Sequence, residues 1–102
     1  MAILLALYRT PKDKAAFDRY YRETHVPLAK KIPGLRRYEI SDGTVAGPEG
    51  PSNIHLVALL HFDSVDAIKA AIGTPDGQAA AGDLSNFADG GVDLMFIDTK
   101  PA

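Results

Sequence analysis

The segment IHLVALLHFD, residues Ile54–Asp63, decides the fold because it has the clearest strand pattern in the chain. Side chains along a β-strand point alternately to its two faces, so this segment divides into two sets. One set is uniformly apolar and is expected to pack on helices: Ile54, Leu56, Ala58, Leu60 and Phe62. The other set is expected on the opposite face: His55, Val57, Leu59 and His61. A strand that is largely apolar on both faces predicts a sheet that is covered on both sides.

Three further segments predict the other strands of this sheet. ILLALYR (Ile3–Arg9) is short, apolar and followed by a proline, which is typical of a buried strand. LRRYEISDG (Leu35–Gly43) alternates between polar and apolar residues, and VDLMFIDT (Val92–Thr99) ends the regular part of the chain as a strand.

Apolar residues at helical spacing predict helices between these strands. Asp13 is suited to cap the first helix, and Ser64 caps a second helix that Gly73 ends. Thr74 then begins a further helical segment. The order β-α-β-β-α-(α)-β is that of a ferredoxin-like α+β domain with an antiparallel four-stranded sheet. We expect one such domain over residues 1–102.

The second face of this sheet has no element left in the chain to cover it. A large exposed apolar face favours aggregation, so a monomer with a bare sheet is the less favoured alternative. We therefore expect a homodimer in which two sheets pack face to face as a dimeric α/β barrel.

The composition excludes several classes of function. The 102 residues include no cysteine, so disulfides, thiolate catalysis and cysteine-ligated metals are excluded. A net charge of −2 without a long basic cluster argues against nucleic-acid binding. The apolar N-terminal segment MAILLALYR lacks the features of a signal peptide and is interpreted as a strand. We expect a cytoplasmic protein with no membrane partner.

The segment YYRETHVPLAKKIPGL (Tyr20–Leu35) places a histidine two residues before a proline inside a helical pattern. Proline removes a backbone hydrogen bond, and Val26 before it is biased away from helical dihedrals. This predicts a helix that ends near Thr24, a kink, and a short turn that starts at Pro27. The kink is expected to present His25 toward the edge of the sheet and the space enclosed by the dimer.

Two interpretations of His25 remain open. It is either a proton-transfer residue, with Tyr21 on the same helical face four residues earlier, or a capping residue that binds unpaired carbonyls at the helix end. Imidazole titrates near neutral pH and can both accept and return a proton, which suits the first interpretation.

Polar residues on the predicted strands add further site candidates. Arg37 and Glu39 share the face of the second strand that is available to the dimer interior, and His55 and His61 share the corresponding face of the third, with Leu59 between them. Buried charges are normally paired or line a wet cavity, so these side chains predict a pocket. The alternative is that they are exposed strand-end residues at the barrel rim.

The chemistry predicted from these residues is proton transfer without a cofactor. No dinucleotide, phosphate-binding or nucleophile-elbow motif occurs, and three scattered residues, His55, His61 and Glu39, are a weak metal signal. We predict His25, Tyr21 and Glu39 as catalytic residues, no metal and no cofactor. The predicted substrate-binding residues are His61, His55, Arg37 and Leu59.

The chain resembles the EthD family, which is named for a component of a bacterial ethyl tert-butyl ether degradation cluster. The resemblance runs from about Ile3 to Asp98, and its most specific parts are H-V-P-L around His25 and the P-G-L-x-x-Y that follows. It implies the dimeric α+β barrel and points to His25 as a functional residue. Some members are labelled reductases, and the superfamily includes cofactor-independent monooxygenases, isomerases and cyclases.

Three functions remain open at this point. The first is a cofactor-independent isomerase, cyclase or dehydratase that acts on a small hydrophobic or aromatic molecule in a degradative or secondary-metabolic pathway. The second is a cofactor-free oxygenase or reductase in oxidative catabolism. The third is an accessory protein that binds a hydrophobic ligand without catalysis. The Gly/Pro-rich segment Gly43–Asn53 is either a lid over a cavity or a long hairpin connection.

Overall fold

The structure is a computed structural model that describes residues 1–102. Its strands are β1 (Ala2–Arg9), β2 (Arg37–Ile40), β3 (Ala46–Gly47), β4 (Gly50–Pro51), β5 (Ile54–Phe62) and β6 (Val92–Asp98). Its helices are α1 (Lys14–Tyr20), a π-helical segment (Tyr21–His25), α2 (Val26–Ala29), α3 (Val65–Ile72) and α4 (Pro75–Phe87). The side chains of Asp13, Ser64 and Thr74 each accept a hydrogen bond from the backbone N–H three residues later, as the capping pattern predicts.

The main sheet has four antiparallel strands in the order β2-β5-β1-β6. The central pair is β1 and β5, with Ala6 opposite Ala58, and β6 pairs with β1 on its other side. This arrangement confirms the predicted ferredoxin-like α+β fold. The short strands β3 and β4 pair only with each other and form a ribbon within the Gly/Pro-rich connection between β2 and β5.

The helices cover one face of the sheet. The covered positions of β1 and β5 are buried: Ala2, Leu4, Ala6, Tyr8, Leu56, Ala58, Leu60 and Phe62. The alternate positions form what we call the open face, which no element of the chain covers: Ile3, Leu5, Leu7, Arg37, Glu39, Val57, Leu59, His61, Met95 and Ile97. Met95 is 50% exposed and Ile97 is 38% exposed. The predicted division of β5 is therefore confirmed for Val57, Leu59 and His61.

The helical backbone does not end at Thr24, so the predicted kink is wrong. Val26 has φ −57° and ψ −47°, and its N–H binds the carbonyl of Tyr21, five residues earlier. This π-type bond accommodates one extra residue, and Pro27 then lies in the first turn of α2. A missing N–H is tolerated at that position, so the proline continues the helix instead of breaking it.

The predicted orientation of His55 is also wrong. The register between β1 and β5 shifts between Tyr8 and Arg9, where the chain forms a β-bulge or similar irregularity. An extra residue in one strand re-aims the neighbouring side chains. The His55 ring packs edge-on against Phe17 of α1, with ring centroids 5.0 Å apart. His55 therefore belongs to the helix side and not to the open face.

None of the helices is both long enough and apolar enough to cross a membrane.

Helices α3 and α4 are in close contact at Gly77. A Cβ atom added at Gly77 would lie 2.1 Å from the carbonyl oxygen of Ala71, a backbone atom that cannot move freely. Gly82 lies on the same helix and has nothing within 4 Å of an added Cβ. The two glycines of α4 therefore have different roles.

We expect Gly77→Ala to lower the free energy of unfolding by about 1–3 kcal/mol, because the new methyl group forces the two helices apart. Gly82→Ala is the matched control and should raise it by up to about 1 kcal/mol, because alanine favours a helix over glycine. Urea unfolding followed by circular dichroism measures both. Equal effects of the two substitutions would contradict the close packing described.

Candidate active site

The π-helical segment positions two of the predicted site residues, Tyr21 and His25. A π segment rotates the side chains that follow it relative to a regular helix. Both side chains are buried, and His25 is only 6% exposed. The His25 ring centroid lies 4.8 Å from that of Phe87 and 5.2 Å from that of Tyr21. His25 therefore faces the layer between helices and sheet, and not the open face as predicted.

A buried carboxylate of α4 binds this histidine. The distance from His25 Nδ1 to Asp83 Oδ2 is 3.0 Å, and Asp83 is 6% exposed. The other carboxylate oxygen accepts hydrogen bonds from the Tyr20 hydroxyl at 2.6 Å and the Asn86 amide at 3.0 Å. The carboxylate is thus fully hydrogen-bonded, as a buried charge requires.

The environment of the pair makes the histidine neutral and the aspartate charged. Burial lowers the pKa of His25 below its ordinary value of 6.5, although the hydrogen bond and charge of Asp83 oppose this. Burial alone would raise the pKa of Asp83, but hydrogen bonds from Tyr20, Asn86 and His25 hold it below its ordinary value. The neutral imidazole then donates its Nδ1 proton to the carboxylate, which leaves a lone pair on Nε2.

The Nε2 atom is available to a ligand. It has no hydrogen-bond partner in the structure. Every side-chain nitrogen or oxygen that is fully shielded from solvent does have such a partner. Nε2 therefore retains accessible surface, although the residue as a whole is buried. An unpaired basic nitrogen next to a buried carboxylate is the arrangement of a general base and its orienting partner.

His25 lines a small space that we call the inner cavity, with a volume of about 60 Å³. The other residues around it are mostly apolar and include Leu4, Ala6, Tyr8, Ala29, Ala58, Leu60 and Leu84. Tyr21 and Tyr38 also line it, and their hydroxyl groups are hydrogen-bonded to each other. Burial raises the pKa of Tyr21 and of Tyr38, so both phenols remain protonated.

A second and larger space, which we call the outer cleft, lies between α1 and the β3–β4 ribbon and has a volume of about 730 Å³. Helical residues on one side of it are Lys14, Asp18, Tyr21, Arg22 and Val26. Residues of β2, of β5 and of the connection between them form the other side, namely Ile40, Ser41, Gly43, Thr44, Val45, Pro51, Ser52, Ile54, His55 and Leu56. Tyr21 is the one residue that lines both spaces. The Gly/Pro-rich connection borders the outer cleft through the lining residues between Gly43 and Ser52.

Five predicted site residues remain besides His25 and Tyr21. Four of them lie on the open face, away from His25, namely Arg37, Glu39, Leu59 and His61. The fifth is His55, which lies on the helix side. Glu39 binds His61 Nε2 at 2.9 Å and Arg37 at 2.8 Å. The hydrogen bond from His61, followed by the contact with Arg37, holds the pKa of Glu39 below its ordinary value. Leu59 is directly opposite Glu39 on the neighbouring strand. The structure thus groups Glu39, His61 and Arg37, but the sheet separates this group from His25.

Metal binding finds no support in the geometry. Nowhere in the chain do three histidine, aspartate or glutamate side chains come together in a way that could hold a metal ion. His55, one member of the weak metal signal, instead binds Asp18 of α1 at 2.7 Å.

Sequence reasoning missed Asp83, Tyr20 and Asn86 as members of the site. A signal for Asp83 is nevertheless present, since it lies three residues after Ala80 and four before Phe87, on the buried face of α4. A lone acidic residue on such a face is costly unless a partner satisfies it.

We expect NMR titration of the His25 ring protons to give a midpoint below 6.5. Asp83→Asn should lower the midpoint further, because the carboxylate is what favours the protonated ring. Asp76→Asn, an exposed change on the same helix, should leave it unchanged.

The lowered pKa of His25 also makes the stability of the fold depend on pH. The unfolded chain takes up the His25 proton more readily than the folded one, so the contribution of His25 to the free energy of unfolding decreases as the pH falls below 6.5. A midpoint at or above 6.5 would contradict a buried neutral imidazole.

Comparison with known families adds a sequence-based assignment to this geometry. A model of the EthD domain family matches residues 9–91. An uncharacterised 11.0 kDa protein encoded in the thcB-thcC intergenic region of Rhodococcus erythropolis is 40% identical over 95 residues, which cover 92% of this chain and 90% of that protein.

Solved structures agree with this assignment. The crystal structure of an EthD family protein from Bacillus halodurans matches with a TM-score of 0.90 and 36% identity, over 98% of this chain and 99% of that one. A dimeric ferredoxin-like protein of unknown function from Thermobifida fusca has a TM-score of 0.69 and 17% identity, over 96% of this chain and 90% of that one. SnoaB, a cofactor-independent oxygenase from Streptomyces nogalater, has a TM-score of 0.69 and 12% identity, over 99% of this chain and 94% of that one. The last two show a shared fold only, whereas the family model and the 40% identical relative show that this chain belongs to the EthD family.

Proposed function

We propose that this EthD family protein catalyses cofactor-independent proton transfer on a small hydrophobic molecule, with His25 as the base. The observation that carries the proposal is the buried Asp83–His25 pair, in which Nε2 is unpaired and the histidine lines the inner cavity. A base buried among apolar groups is protected from bulk water, and its lowered pKa keeps it unprotonated at neutral pH. The inner cavity of about 60 Å³ is smaller than the usual small-molecule site of about 300–1,000 Å³, so the apolar side chains around it must move to admit a substrate.

Asp83 acts in this proposal as a positioning residue. Its hydrogen bond to Nδ1 fixes the ring orientation and selects the tautomer with a free Nε2. When the ring takes a proton from a substrate carbon, the neighbouring carboxylate stabilises the resulting cation. The protonated ring can then return the proton at another carbon or to a leaving oxygen, which corresponds to isomerisation, cyclisation or dehydration.

In this proposal, the tyrosine hydroxyls stabilise the negative charge that forms on the substrate. Removing a proton next to a carbonyl group places negative charge on the carbonyl oxygen, and hydrogen-bond donors at that oxygen lower the barrier. Tyr21 and Tyr38 line the same cavity as His25 and remain protonated. We assign Tyr21 the role of a donor to the substrate oxygen.

We further propose that two copies pair through their open faces as a dimeric α/β barrel. The exposed apolar side chains of that face, such as Met95 and Ile97, need a cover that the chain does not provide. The ferredoxin-like protein from Thermobifida fusca, which shares the fold, is described as dimeric. In such a dimer Glu39, His61, Arg37 and Leu59 would line the space between the two sheets.

The second candidate function is a cofactor-free oxygenase. The fold is shared with SnoaB, which is described as a cofactor-independent oxygenase. The same base would serve this chemistry, because removing a proton from an electron-rich phenol gives an anion that can react with molecular oxygen. Oxygen consumption therefore separates the two candidates, while His25 is required in both.

Deuterium exchange tests the catalytic proposal across several substrate classes at once. In D₂O, the protein should accelerate deuterium incorporation into at least one member of a panel of aryl ketones, lactones and phenols, measured by mass spectrometry. His25→Gln should lower that rate by about 10²–10⁴-fold, the usual contribution of a general base. Asp76→Asn is the exposed control.

An unchanged rate in His25→Gln would contradict the assignment of His25. Ligand binding without exchange by the wild-type protein would contradict catalysis and support the accessory-protein alternative. Oxygen uptake during the same incubations, absent under anaerobic conditions, would favour the oxygenase.

Dimerisation is tested by one charge on the open face. Met95→Glu should raise the dissociation constant by more than about 100-fold, since burying an unpaired carboxylate costs several kcal/mol and each 1.4 kcal/mol is tenfold. Ala70→Glu adds the same charge to the exposed surface of α3 and should not change it. Sedimentation velocity measures both. A monomeric wild-type protein, or a dimer that tolerates Met95→Glu, would exclude this interface.

A further inference from the structure

The outer cleft has the dimensions of a small-molecule site. Its volume of about 730 Å³ lies within the usual range for such sites of about 300–1,000 Å³. It is separate from the inner cavity apart from the shared wall at Tyr21, and the His25 ring is not among its lining residues. The proton-transfer proposal therefore leaves this larger space without a role.

Part of the cleft wall is apolar and exposed. Ile40, a large hydrophobic residue at the end of β2, is 46% exposed. Ile54 and Val45 are half-buried beside it in the same cleft. A ligand with an apolar body would remove this surface from water, which is favourable.

The helical wall carries an excess of positive charge. Lys14, Asp18 and Arg22 follow one another at four-residue spacing and so lie on one helical face. Lys14 forms no ion pair, and the nearest carboxylate to Arg22 is that of the adjacent Glu23, at 3.9 Å.

Asp18, the one acidic residue of the cleft, does not cancel this charge. It is hydrogen-bonded to His55 Nε2 at 2.7 Å. The side chains that line the cleft include two cations, Lys14 and Arg22, and one anion, Asp18. An anion in the cleft therefore meets a net positive wall.

We propose that the outer cleft binds a small apolar molecule that carries a carboxylate group. Arg22 and Lys14 bind the carboxylate, and the guanidinium group is able to form two parallel hydrogen bonds with it. The body of the ligand packs on Ile40 and Val45, beneath the β3–β4 ribbon. This site does not depend on the chemistry proposed for His25, so either proposal can fail without the other.

The cleft stays accessible in the proposed dimer. Its strand residues Ile40 and Leu56 belong to the helix-covered side of the sheet, because Ile40 pairs with Ala58 and Leu56 is buried on that side. The open face, through which two copies would pair, is on the opposite side of the sheet.

Two probes with the same ring system test the site, namely 2-naphthoate, which is anionic, and 2-naphthalenemethanol, which is neutral. Each is titrated at low salt into the uniformly ¹⁵N-labelled full chain, and backbone amide shifts are followed by NMR. The naphthoate should shift amides of Lys14–Arg22 and Thr44–Leu56, and it should bind more tightly than the alcohol.

The double variant Lys14→Gln/Arg22→Gln should weaken naphthoate binding by about three- to tenfold, as expected for two exposed charge contacts, and leave the alcohol unaffected. Retained alcohol binding shows that the variant is folded. Lys69→Gln/Lys100→Gln makes the same change in net charge away from the cleft and should leave both affinities unchanged.

Four outcomes would overturn the proposal. These are the absence of naphthoate shifts at millimolar concentration, equal affinities for the two probes, a preference for naphthoate that survives the double variant, and shifts confined to the open face.

Discussion

The hydrogen bond between His25 and Asp83 is the contact on which the interior of the helical layer depends. It joins the first helical region to α4, and both residues are almost completely buried. Leaving either group without its partner would cost about 1–3 kcal/mol or more, because a buried polar group cannot recover its lost hydration. Tyr20 and Asn86 complete the contact, so both oxygens of the Asp83 carboxylate are hydrogen-bonded.

The π-helical segment explains how a helix that contains Pro27 provides one half of this contact. A regular helix would have to accommodate the missing N–H of the proline in its interior, at a cost of about 3 kcal/mol. The wide turn at Tyr21–His25 instead places the proline in the first turn of α2. The same turn points both Tyr21 and His25 into the core beside Phe87. Segments of this kind occur often at functional sites, which agrees with the proposed role of His25.

Much of the fold could be predicted from the sequence because burial leaves a periodic pattern. The alternation of Leu56, Ala58 and Leu60 with Val57 and Leu59 correctly indicates which side of the sheet the helices cover. The prediction fails where one irregular residue changes the geometry locally. His55 follows the alternation in the sequence, but the register shift beside Arg9 turns it toward α1.

The candidate site is less predictable than the fold because it depends on contacts between distant residues. His25 and Tyr21 can be identified from their own helix, whereas Asp83 lies 58 residues after His25 and is brought there only by packing of α4. The sequence pattern groups Glu39 with His25 because it predicts that both face the dimer interior. Since the sheet lies between them, only the structure could show that they belong to different groups.

The location of His25 and Asp83 on the helix side has a consequence for stoichiometry. Both members of the pair, together with the tyrosines around the inner cavity, come from one polypeptide, and the open face, through which we propose that two copies pair, lies across the sheet. A pair of subunits would thus contain two self-sufficient reaction centres that borrow no side chain from each other. Binding of substrate at the His25 centre should saturate at one equivalent per subunit. When intact subunits are mixed with inactivated ones, the activity should be proportional to the fraction of intact subunits.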